Sequence, residues 1–176
     1  MGCTNSHGIE KSVIEYPFAS IEKTVIPLTE DQIKIVRETW DIIEPHKKEI
    51  GVNVYVRFLS MNPTLKASFP DFKDISVDEI NQRNSHPRRL MAAIENSVNS
   101  LNDVETFTEY VTELGRRHSR YSLKPTKAYF RDLEKAFLRS LKDHLQSCWR
   151  VEVEESWVRL FNFMACIMLK GLSSKT

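Results

Sequence analysis

The sequence predicts an all-α protein, and three observations carry that prediction. Apolar residues recur at the helical period through nearly all of the chain after residue 27. Neither sustained apolar–polar alternation nor an Asn-Gly or Asp-Gly hairpin turn occurs anywhere. Helix-start signals stand at the head of periodic runs, with Thr29 followed by Gln32 and Ser76 followed by Glu79. With 176 residues and 41% apolar content, the chain fits one compact domain that can bury a core and, if hollowed, one small-molecule pocket.

Residues 1–27, "MGCTNSHGIEKSVIEYPFASIEKTVIP", keep no helical or strand period and end at a proline, so they read as a flexible extension. The first helix opens at Thr29, turns Ile33, Val36, Trp40 and Ile43 inward, and stops at Pro45. A second runs from about His46 to Met61. Pro63 suits the first turn of a short helix ending near Phe69, and "PDFKDI" then forms a loop with two aromatic anchors. One or two helical turns follow Ser76. Four long segments come next, at about 86–101, 104–120, 126–146 and 151–171, with Gly171 expected to close the last. The folded domain is therefore placed at 28–172, with 173–176 as a short polar tail.

Composition removes several function classes. The formal charge is +1, from 25 basic and 24 acidic residues, and no long basic run draws the chain to nucleic acid. No stretch approaches the roughly 20 apolar residues of a membrane span, and the first thirty residues lack the order of a secretion signal. A cytosolic location is expected. Cys3, Cys148 and Cys166 are odd in number and form no CxxC pair, which points to reduced thiols rather than a disulfide framework or a zinc site.

Two histidines remain to be explained. His118 follows Phe107, Val111 and Leu114 on one helical stripe, and His86 precedes Leu90, Ile94, Val98 and Leu101 on another. Two imidazoles thus face inward from consecutive helices, 32 residues apart, and neither stripe offers an obvious carboxylate to satisfy them. Buried histidines that found separate hydrogen bonds would give the same pattern. So would a metal or cofactor between the helices. Zinc wants three or four ligands, whereas haem iron needs one or two imidazoles and a large apolar slot. Phe69, Phe72, Phe130, Phe161 and Trp157 suit such a slot, although ordinary packing accounts for each singly.

From about Leu28 to Leu172 the chain resembles a globin, and most of all the cytoglobin, neuroglobin and globin X branch. The resemblance rests on "LTEDQIKIVRETW", "GVNVYVRFLSMNPTLKASFPDF", "HPRRLMAAIENSVNSL", "LGRRHSRYSLKP" and "SWVRLF". It implies a globin fold of about eight helices around a pocket for haem b. His118 then matches the proximal ligand of the iron and His86 the distal histidine. Phe69 matches the corner phenylalanine on the haem face, and Leu90, Leu114, Leu123 and Phe161 match wall residues. Tyr55 stands where globins more often carry leucine or phenylalanine, so a phenol would reach into the distal cavity and stabilise charge on a bound ligand. Its alternative is a core ring whose hydroxyl bonds His86. Arg89 and Arg117 flank the ligand positions, as partners for haem propionates or as plain surface. Pro87 should make the distal helix start at His86 or kink there.

The opening "MGCTNS" fits the myristoylation pattern at Gly2, and Cys3 beside it is a natural second acylation site. One acyl chain holds only marginally, whereas two anchor stably. Globin X proteins similarly join an acylated amino terminus to a haem domain. A flexible segment of this length reaches about 30 Å, which would keep the domain at the cytoplasmic face of a membrane, the plasma membrane by expectation. The implied role is a tethered haem globin in redox chemistry or gas sensing, meeting O2, NO, CO or nitrite and an electron-donor protein. Three alternatives stay open: a haem enzyme for nitrite reduction or NO dioxygenation with an external donor, an oxygen transport or storage globin, and a globin-shaped interaction module without haem.

Overall fold

The computed structural model describes residues 25–173. It contains six α-helices: α1 (Glu30–Ile43), α2 (Lys47–Met61), α3 (Ser85–Asn99), α4 (Val104–His118), α5 (Lys127–Leu145) and α6 (Val151–Ser173). Four 3₁₀ turns, Glu44–His46, Pro63–Ser68, Val77–Glu79 and Gln146–Cys148, join them. Gly2 and Cys3 lie outside the described residues. The expectation of about eight helices becomes six among those residues, because the connecting segments, of three to six residues, are too short to establish an i→i−4 ladder and close i→i+3 bonds instead.

The helix starts follow the local chemistry. Thr29 accepts from the amide of Gln32 at 3.2 Å and Gln32 answers at the Thr29 amide at 3.1 Å, the reciprocal cap that the spacing predicts. Asp103 caps α4 through the Thr106 amide at 3.0 Å, and Thr126 caps α5 through that of Tyr129 at 3.3 Å. Pro87 sits in the first turn of α3, where an amide has no helical acceptor, so the helix begins beside His86 without a break.

Packing sorts the helices into two groups. Helix α6 lies along α4 and α1, while α2 lies along α5 and α3. Trp157 anchors the first group: it packs on Trp40 and Phe137 at ring separations of 6.4 and 5.5 Å and donates its indole N–H to Thr39 Oγ1 at 3.0 Å. Helices α3 and α4, though consecutive, pack mainly on α2 and α6 and little on each other, so the slot expected between His86 and His118 falls between them. Packing also reaches beyond the predicted amino-terminal boundary, since Ile26 is buried in the core.

Two close crossings set the walls of the slot. A Cβ on Gly51 would stand 2.8 Å from the Pro87 carbonyl oxygen and 2.9 Å from Met91 Cγ, so α2 approaches α3 only because residue 51 has no side chain. Gly115 and Gly171 face each other where α4 crosses α6: a Cβ on Gly115 would fall 2.2 Å from the Met168 carbonyl oxygen and one on Gly171 2.4 Å from that of Thr112. Gly171 therefore corrects the sequence reading. It does not end α6, which continues to Ser173, but makes room for α4 inside the helix.

Candidate functional site

His118 occupies the last turn of α4, one turn after Gly115. Its Nδ1 lies 2.8 Å from the Leu114 carbonyl oxygen, a bond that assigns the proton to Nδ1 and leaves the Nε2 lone pair available. Val111 and Phe107, on the same stripe, are fully buried, whereas His118 and Leu114 stay half-exposed at the slot. Tyr121 stands 6.1 Å from the His118 ring.

Across the slot, His86 is held by aromatic side chains. Its ring meets Phe69 edge-on at 4.8 Å, with Tyr55 at 6.1 Å and Phe72 at 6.2 Å. Its Nδ1 is buried and has no hydrogen-bond partner among the described residues. Burial, aided by the positive charge of Arg89 and the facing His118, pushes the His86 imidazole down to about 4, against a smaller pull from Asp71. At neutral pH it is an uncharged ring with lone-pair nitrogen, the form that a metal ligand must have. His118 is near enough to act on His86 electrostatically.

Tyr55 comes from α2, one turn after Gly51, and is buried among Phe58, Phe69 and Phe72. Burial pushes its phenol well above the usual range, so the hydroxyl stays a protonated donor, with Arg89 opposing the shift slightly. The loop carrying Phe69 and Phe72 is tied to α3: Asp71 Oδ2 accepts from the Ser85 amide at 2.6 Å and from the Ser85 hydroxyl, and Asn84 Nδ2 reaches the Asp71 carbonyl at 3.3 Å. The two bonds from Ser85, hydroxyl first and amide second, hold the Asp71 carboxyl below the ordinary carboxylate range. Sequence reasoning missed Asp71, Ser85 and Gly51. Asp71 had a signal, an acid between two aromatic anchors, but its partner lies 14 residues away across a loop.

The remaining predicted residues divide. Leu90 is half-buried against the core and Leu123 is 41% exposed in the segment after α4, so both keep apolar surface uncovered by protein. Phe161 is buried, 5.6 Å from Phe137, at the base of the core. Arg89 is exposed at the slot's rim, within electrostatic reach of His86 and Tyr55. Arg117 is committed on the surface to Glu113, with Nε 3.1 Å from Oε1. Trp157 belongs to the α1–α5–α6 core, as its partners show. No three histidine, cysteine or acidic side chains converge on a metal position among the described residues. A flat cofactor held by one or two imidazoles fits the donor set better: one nitrogen freed by its neighbour's bond, one orphaned in the interior, and open apolar walls.

An all-helical protein with facing imidazoles on two walls of an apolar slot is the class that fold and site define. The sequence model of the globin family, described as Globin, matches residues 52–168. Cytoglobin-2 of Danio rerio is 30% identical over 139 residues, spanning 76% of this chain and 76% of that protein. Cytoglobin-1 of the same fish is 27% identical over 143 residues, 78% and 81% of the two chains. The chain belongs to the globin family, near its cytoglobin branch. Among solved structures, a hexacoordinated heme protein from an anhydrobiotic tardigrade superposes with a TM-score of 0.76 at 18% identity, over 85% of this chain and 97% of the other. A Drosophila melanogaster globin gives 0.72 at 21% identity, over 81% and 94%. At such identities these structures bear on the fold.

Proposed function

We propose that this chain is a haem globin that takes diatomic gases in the slot between α3 and α4, and that it works in redox chemistry or gas sensing beside a membrane. The observation that carries the reading is the pair of facing imidazoles, with His118 Nδ1 bound to Leu114 and the His86 Nδ1 left without a partner. His118 Nε2 would hold the iron of haem b, and His86 would stand opposite as distal ligand or neighbour of the gas. Phe69, Leu90, Leu114, Leu123 and Phe161 would line the macrocycle, and Arg89 would meet a propionate. When bound, the haem supplies an iron that cycles between ferric and ferrous states and accepts a small ligand.

The chain's own contributions follow from the site. Tyr55, kept protonated by burial, would donate toward negative charge on a ligand in the distal cavity. Neutral His86 would compete with that ligand for the iron, and the fold is shared with a tardigrade heme protein that is hexacoordinated. Electrons would come from a donor protein. Acylation at Gly2 and Cys3 would keep the domain on the cytoplasmic face of the plasma membrane, a reading carried by the motif alone.

Haem titration tests the core of this proposal. The protein should bind one haem, and the ferrous form should show the sharp, split visible bands of low-spin iron. His118→Ala should largely abolish retention, and a variant keeping a full haem complement with an unchanged spectrum rejects His118 as the ligand. For the anchor, cell fractionation should find membrane association lost in Gly2→Ala and weakened in Cys3→Ser. Equal partition of all three forms discards it.

A further inference from the structure

The bonds between the Asp71 loop and the start of α3 do more than end a helix neatly. Ser85 is the first residue of α3 and the chain neighbour of His86. Asp71 lies between Phe69 and Phe72, two of the rings against which His86 rests. One carboxylate oxygen therefore takes both the amide and the hydroxyl of Ser85, while the residues on either side of that carboxylate wall in the adjoining imidazole. Asn84 closes the same junction from the helix side through the Asp71 carbonyl. Pro87 removes one source of play, since its ring fixes φ immediately after His86. Gly51 removes another, because the Pro87 carbonyl is packed directly beneath α2.

We infer that Asp71 is the positioning residue of the distal histidine: by clamping Ser85 it fixes the first turn of α3 so that His86 stays over the slot, within reach of the iron. This assignment rests on the haem reading above and adds a residue to it. A carboxylate that accepts an amide and a hydroxyl at a helix start is satisfied there and stabilises the adjoining turn. Without it, the first residues of α3 keep Asn84, the packing of Pro87 and the rings around His86 but lose the carboxylate that ties their backbone to the loop, and a first turn frays readily. His86 lies in that turn and its Nδ1 has no bond of its own to keep it in place. The clamp thus ties the backbone beside this imidazole to a separate part of the chain.

The test compares Asp71→Ala, Ser85→Ala and a control at the opposite end of the α2–α3 interface, Lys47→Met, which cuts the 2.6 Å ion pair with Glu95. Full-length protein is loaded with haem, and the low-spin fraction of the ferrous form and the rate of carbon monoxide binding are read. In the haem-free form, amide exchange of residues 85–91 is read against that of α5. Asp71→Ala should lower the low-spin fraction, speed carbon monoxide binding on the order of ten-fold, and speed exchange in 85–91 alone. Ser85→Ala, which keeps the amide bond, should do the same to a smaller extent, and Ser85→Thr should restore the original spectrum. Lys47→Met should leave the spectrum unmoved whatever it does to melting temperature.

An Asp71→Ala protein with the unmutated low-spin spectrum and carbon monoxide rate overturns the assignment while leaving the haem reading intact. A spectral change of equal size in Lys47→Met also overturns it, since the effect would then be general loosening of α3. If the unmutated ferrous protein is already five-coordinate, His86 is not held on the iron and the assignment falls alone. If the protein takes up no haem at all, both readings fall together.

Discussion

The two walls of the slot hold their histidines by different means. On the α4 wall, His118 is secured by its own helix: the carbonyl of Leu114 takes its Nδ1, and the Gly115–Gly171 crossing presses the helix against α6 one turn before. On the α3 wall, no atom of the described residues bonds His86 Nδ1, and the ring is placed from outside by Phe69, Phe72, Tyr55 and the Asp71–Ser85 bonds. The difference suits the two tasks proposed for these histidines. A permanent ligand benefits from a tautomer and orientation set by local backbone, whereas a ligand that must leave before a gas enters has to be held by contacts that can give.

That contrast can be broken most severely at the α4 crossing. Gly115→Val puts a branched side chain where even a Cβ would lie 2.2 Å from the Met168 carbonyl oxygen, and backbone cannot swing aside as a flexible side chain does. The variant should lose about 3 kcal/mol or more in denaturant unfolding. A midpoint within error of the unmutated protein would mean that α4 and α6 slide apart without cost and that His118 is not held by this crossing.

The α3 wall is sharpened by a smaller change. Tyr55→Phe keeps the ring that packs on Phe69 and Phe72 and deletes the hydroxyl. A donor to a charged ligand is worth roughly 1.5–3 kcal/mol, so oxygen should leave the loaded protein on the order of ten-fold faster or more. An unaltered off-rate in stopped flow would assign the hydroxyl to structure alone.

The smallest effect is read on haem-free protein. The folded chain holds His86 at about 4, below the ordinary 6.5, so between those values the unfolded chain binds more protons. The contribution from His86 therefore makes stability fall as pH drops from about 6.5 toward 4, and leaves it level above 6.5. His86→Leu should flatten that part of the profile in urea titrations. The same slope in both proteins would place the titration elsewhere.

Periodicity and capping were enough to foresee the helices, because both are local. Thr29 with Gln32, Pro63 and the stripes ending in His118 and beginning at His86 sit where the pattern puts them. The resemblance to globins, carried by short motifs, reached the family that the comparisons then showed. The count of helices was less readable, since nothing in a three-residue segment says whether it will close a 3₁₀ bond or join its neighbour.

Other features depended on where separate segments meet. Gly171 reads as a helix end because glycine commonly stands there, and only α4 lying across it reveals a crossing. Trp157 and Phe161, four residues apart on α6, look equally suited to a slot, yet Trp157 alone of the two also packs on Trp40 and is drawn into the α1–α5–α6 core. The state of the two imidazoles is likewise tertiary. A histidine's spacing shows which way it faces, but burial and neighbouring charge determine whether it is neutral, and a loop 14 residues upstream ties down the residue beside it. Helical pattern needs only nearest neighbours along the chain, whereas protonation and placement are set by atoms that the chain brings together after folding.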